Sequence, residues 1–66
     1  MTIKYVGCED ANSATAKIIS KNTITYYGSW YEAQCAIYDK HESGEKVDDA
    51  LYRKKGNRWV EIEYWF

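Results

Sequence analysis

Apolar and polar positions along this chain follow two different periods, and the change between them marks its elements. From residue 30 the apolar side chains recur at helical spacing: Trp30, Ala33 and Ile37 form one stripe with Ala36 beside it, and Tyr31, Cys35 and Tyr38 form a second. Ser29 followed by Glu32 is a capping box, in which the hydroxyl accepts from an early helix N–H and the carboxylate reaches back. Gly44 supplies a stop. The pattern predicts a helix over about 30–42, with alanines that let it lie close to a sheet.

Past Gly44 the period becomes two, and a β-hairpin is predicted over about 47–66. Gly56-Asn57 suits a two-residue loop, because Gly adopts the positive φ that tight hairpin turns require. With that loop Lys55 faces Arg58, and the pairs continue as Lys54–Trp59, Arg53–Val60, Tyr52–Glu61, Leu51–Ile62 and Ala50–Glu63. Alternation sorts Val60, Ile62, Tyr64 and Phe66, with Leu51 and Val47, onto a core face. Trp59, Glu61, Glu63 and Trp65 fall on the other face, opposite Lys54, Tyr52 and Ala50.

Ahead of the helix, Ile3 to Val6 reads as a strand and Glu9 to Ser13 as a polar turn. Thr15 to Ile19 and Thr23 to Tyr27 are rich in β-branched and aromatic residues, interrupted at Lys21-Asn22. They read as two short strands joined by a tight turn, or as one long bent strand. Ala14, Ala16 and the Ser/Asn flanks also suit a short helix over 13–21, and the strand reading is preferred. The expected fold is α+β: a small antiparallel sheet with one central helix, in a single domain over residues 1–66.

Composition sharpens this picture. Ile, Leu, Val and Phe contribute 11 of 66 residues, a share at which disorder is suspected, yet a net charge of −1 with seven Tyr and three Trp argues for a folded, aromatic-rich mini-domain. No apolar run is long enough to span a membrane, and no leader pattern is expected at the start. Two cysteines, Cys8 and Cys35, read as reduced thiols of a cytoplasmic protein, with one optional disulfide as the alternative. Balanced charge leaves no global basic field for nucleic acid, although one face can still be basic.

Two resemblances follow from particular runs. Thr25-Tyr26-Tyr27-Gly28-Ser29-Trp30, then Glu32-Ala33 and Ala36-Ile37-Tyr38-Asp39-Lys40, resemble the APETALA-type (ethylene-response-factor) DNA-binding domain and its integrase arm-binding relatives. Tyr5-Val6-Gly7 and Ala16-Lys17-Ile18 stand where that family has its first and second strands, so the likeness covers about residues 5–41. It implies a three-stranded sheet on a helix, with sheet side chains reading the major groove. The chain departs from it by lacking two residues between strand and helix, and by Ala14 or Thr15 standing where the family has a Trp. It also continues into a hairpin that the family lacks. Its size and the closing Gly-x-Arg-Trp-Val at Gly56 to Val60 are similar to small phage-encoded type I anti-CRISPR inhibitors. That likeness implies binding to a host protein or ribonucleoprotein complex in the host cytoplasm.

No catalytic constellation stands out, and no enzyme, cofactor or metal site is expected. His41 is the sole histidine and belongs at a helix C-terminus, where it complements the dipole. Glu61 and Glu63 lie roughly 7 Å apart on one strand face, a solvated arrangement beside Lys54. Asp48-Asp49 lacks calcium-loop spacing, and the glycines build no phosphate loop. The expected site is a partner-binding face of Trp59, Trp65, Tyr52, Glu61, Glu63 and Lys54, because Trp and Tyr are rigid interface anchors. The alternative is nucleic-acid binding through Lys4, Lys17, Lys21, Arg53, Lys55 and Arg58, and a homodimer pairing the final strand edge to edge is a third class.

Overall fold

A computed structural model describes residues 1–64 of the chain. Its elements are β1 (Thr2–Val6), β2 (Ala16–Ile19), β3 (Thr23–Tyr27), α1 (Trp30–Glu42), β4 (Ala50–Lys55) and β5 (Arg58–Ile62). The strands form one sheet in the order β1-β3-β2-β4-β5, with α1 packed on one face. The expected α+β class is therefore observed, and residues 16–19 are strand rather than helix.

One pairing departs from the wholly antiparallel sheet expected: β1 runs parallel to β3, so the sheet is mixed. The connection explains it. Residues 7–15 are too many for a hairpin loop, and they carry the chain past a strand-wide gap before β2 begins. β3 returns through the turn at 20–22, where the Ser20 N–H donates to Thr23 O at 2.8 Å, and fills that gap. Within the long connection Asp10 and Ser13 hold each other, the Ser13 N–H donating to Asp10 Oδ1 at 2.9 Å and its hydroxyl to Asp10 O at 3.1 Å.

The helix starts where its cap predicts. Ser29 Oγ accepts from the Glu32 N–H at 3.2 Å, and the Glu32 carboxylate lies against Gly7 at the end of β1. It ends with Gly44 at φ +85° and with the Ser43 and Glu45 N–H groups donating to Asp39 O and Lys40 O. β3 and β4 point the same way with β2 between them, so the helix that links them must cross β2. That crossing makes the core: Ala33 and Ile37 from the helix meet Ala16 and Ile18 of β2 and Leu51 of β4. Ala16 and Ala33 are fully buried, which brings the helix close to the sheet. Tyr27, Trp30, Val47, Ile62 and Tyr64 pack around this centre. The hairpin register is the one predicted from Lys55–Arg58 through Leu51–Ile62, but the strands span only Ala50–Lys55 and Arg58–Ile62, so the expected Ala50–Glu63 pair lies beyond the end of β5. Gly56 alone at the turn has positive φ, +62°, as a II′ turn requires.

The segment entering β4 is tied by ionisable groups to the helix through Lys40 and to the residues after β5 through Tyr64. The Lys40 ammonium donates to both Asp49 oxygens at 3.2 and 3.1 Å, and the Tyr64 hydroxyl donates to the Val47 and Asp49 carbonyls. The Asp49 hydrogen bond raises the Lys40 pKa above its ordinary value. Burial, with nearby carboxylates as a second cause, raises those of Tyr27 and Tyr64. Each raised group contributes stability that is complete below its unfolded value, near pH 10, and is lost as pH climbs through the folded value. Thermal midpoints followed by circular dichroism should therefore fall as pH rises above about 10; a midpoint that holds or rises there would contradict these ties.

Candidate interface on the open sheet face

One helix is about 10 Å across and covers only part of one face of the sheet; among the described residues no element lies over the opposite face. Strand alternation and register decide which side chains stand there. One rung runs across all five strands as Tyr5, Tyr26, Lys17, Tyr52 and Glu61. The neighbouring rung is apolar: Ile3, Ile24, Ile19 and Ala50.

The aromatic rings of this face order one another. Tyr5 and Tyr26 are stacked, with centroids 5.5 Å apart and planes 13° from parallel. Trp59 on β5 is three strands away from Tyr26, about 14 Å along the sheet, yet their centroids are 6.1 Å apart. The indole therefore lies back across β4 and β2. Beneath it sits Lys17, its ammonium 4.5 Å from the Trp59 centroid and 5.1 Å from that of Tyr52. Lys54 flanks the same indole at 5.7 Å and donates to Asn12 O at 3.0 Å. Each contact of a cation with a ring face is worth about 0.5–1 kcal/mol where water reaches it.

Of the residues expected at a partner site, Tyr52, Lys54 and Trp59 meet on this face, and Glu61 stands exposed at its β5 margin. Glu63 follows the end of β5 and is exposed, while Trp65, like Phe66 of the expected core, lies outside the described residues. The basic residues of the nucleic-acid alternative are scattered. Lys17 joins the aromatic row, but Arg53 turns to the helix side and stacks on Trp30 at 5.1 Å. Lys4 alternates to the helix side of β1, Lys55 and Arg58 close the hairpin, and Lys21 sits in the turn at the far end of the sheet. Sequence reasoning missed Tyr5, Tyr26, Ile3, Ile19 and Ile24, half of the surface. Their strands were expected, but nothing local places β1 beside β3.

Among the described residues no group of three or more His, Cys, Asp or Glu could hold a metal ion, and no helix is long and apolar enough to cross a membrane. Cys8 and Cys35 are free thiols. Fold and site together define a small one-helix α+β domain with an uncovered aromatic sheet face. No protein-family model, curated protein or solved structure matches the chain.

Proposed function

We propose that this chain is a non-enzymatic binding protein that docks the open face of its sheet on a protein partner. The row Tyr5–Tyr26–Trp59 over Lys17 carries the reading. These rings are held by each other before any partner arrives, so docking orders few new rotamers and the buried area converts to affinity. Tyr and Trp add polar tips to rigid apolar area, the combination that dominates interface energetics. We infer further that the partner is a host protein complex blocked in the manner of an anti-defence inhibitor. The similarity of Gly56 to Val60 and of the chain's size to phage-encoded inhibitors supports that finer reading.

The test is affinity capture from the natural host, followed by titration of the retained protein with variants. Trp59→Ala should weaken binding by more than about 30-fold, roughly 2 kcal/mol, with the far-ultraviolet spectrum unchanged. Unchanged affinity, or an unfolded variant together with an inert Tyr5→Ser, would sink the proposal.

Nucleic acid is the second reading, favoured by Lys17 standing within an aromatic row with no ion pair among the described residues. Against it, Tyr5 and Tyr26 each cover one face of the other, which leaves fewer stacking platforms for bases. Phosphate-driven binding weakens steeply between about 50 and 200 mM salt. Retention of single-stranded DNA or RNA at low salt with that dependence would establish this reading over the first.

A further inference from the structure

Of the described strands, β1 is the most exposed, and its outer edge faces away from the sheet. Every residue from Thr2 to Val6 is exposed. Of the six large apolar side chains exposed among the described residues, Met1, Ile3, Tyr5 and Val6 lie on or next to this strand. A fifth, Tyr31, stands across a shallow groove from Val6 that is also lined by Tyr27, Cys35 and Ala36. Hydrogen-bond direction shows what the backbone offers. The Thr2 N–H donates to Asn22 O and Val6 O accepts from the Gly28 N–H, both at 2.8 Å and both inward toward β3. Backbone groups alternate along a strand, so Ile3 and Tyr5 turn their N–H and C=O groups outward. That is a row of donors and acceptors with no neighbouring strand among the described residues.

Such an edge can receive a second copy of the chain or a strand from another protein, and Lys4 discriminates between them. A closed two-fold dimer would run the two edges antiparallel. Within the strand residues Thr2–Val6, the register that pairs Ile3 with Tyr5 in both copies is centred on Lys4 and sets two lysines directly opposite, about 4.5 Å apart at Cα. Like charges so placed repel. A foreign strand with a carboxylate at that position turns the same residue into an attraction. A row guarded merely against pairing would not surround its lysine with exposed Ile3, Tyr5 and Val6.

We propose that β1 is a strand-addition site for an extended segment of a partner protein. The segment runs antiparallel to β1, with an acidic residue opposite Lys4 and apolar residues opposite Ile3 and Tyr5. This goes beyond docking on the open face: Ile3 and Tyr5 border both surfaces, but the strand addition stands on the outward backbone of β1 and the charge of Lys4.

The experiment uses a capped synthetic heptapeptide, Thr-Val-Tyr-Glu-Val-Thr-Lys, and a second with Lys in place of the central Glu. Each is titrated into the isotope-labelled chain and followed by amide shifts. Shifts centred on Ile3 and Tyr5, at least about 10-fold tighter for the Glu peptide, are expected. Lys4→Glu should reverse the preference. N-methylation of Tyr5 in the chemically synthesised chain removes one outward donor and should abolish binding, whereas Trp59→Ala should leave it intact. That last arm separates failure here from failure of the open-face reading. Silence of Ile3 and Tyr5 up to several millimolar peptide, equal binding of both peptides, or self-association of the unmodified chain through this edge would overturn the proposal.

Discussion

Replacing Ile37 with alanine is expected to cost about 3 kcal/mol, within the usual range for emptying a buried aliphatic site. A chain of this length has roughly 3–10 kcal/mol of total stability, so the loss removes about a third or more of it and unfolds the variant at room temperature where the parent lies near the lower bound. The reason is the make-up of the core. Among the described residues the buried ones are Ala14, Ala16, Ala33, Ile18, Ile37 and Leu51, three of them larger than alanine. Ile37 is 2% exposed and lies where α1 crosses β2 and β4. It shares this centre with Ala16, Ala33, Ile18 and Leu51, and Trp30, Ile62 and Tyr64 pack against the same cluster. Urea unfolding followed by circular dichroism measures the loss. Ile37→Val should cost only about 1 kcal/mol by the same measurement. A loss for alanine below about 1 kcal/mol would place the core elsewhere.

Gly28→Ala should be nearly as damaging, for a reason that has nothing to do with φ. A methyl group on Gly28 would stand 2.1 Å from the carbonyl oxygen of Gly7 and 2.7 Å from its carbon. Both obstacles are backbone, so neither can swing aside as a side chain would. Relief requires β1 to move away, which breaks the bond from the Gly28 N–H to Val6 O and opens the parallel pairing of β1 with β3. About 3 kcal/mol is expected, at the upper end of overpacking costs. The loss should appear first as faster hydrogen exchange at the amides joining β1 and β3, ahead of the hairpin. Gly44→Ala is the contrast: nothing lies within 4 Å of its new Cβ, and only the φ of +85° opposes it, at about 1 kcal/mol. Equal effects at the two positions would show that the contact of Gly28 with Gly7 is not what holds β1.

The same contact explains why half of the candidate site was out of reach of the sequence. Trp59, Tyr52 and Lys54 could be placed on one face because Gly56-Asn57 joins their strands directly, and a two-residue loop leaves one register. Tyr5 and Tyr26 are separated by a long connection and another strand, and their pairing depends on backbones meeting at Gly7 and Gly28. Lys17 belonged to a different expected site for the same reason. It stands under the indole of Trp59 because β2 pairs with both β3 and β4, two contacts distant along the chain.

What was legible, then, is whatever short-range physics controls. The helix from Trp30 to Glu42 follows from its Ser29 cap, its stripe and its glycine stop, and the C-terminal hairpin follows from its turn. These interactions span a few residues, so the residues that cause them are adjacent in the text of the sequence. Strand order, the parallel β1 and the single aromatic row come from contacts between distant segments. There the choice is made by which partners bury most surface and satisfy most backbone groups once the chain has closed on itself. The aromatic residues were present in the sequence; that Tyr5, Tyr26 and Trp59 form one continuous surface with an unpaired strand edge beside it is a property of the folded sheet.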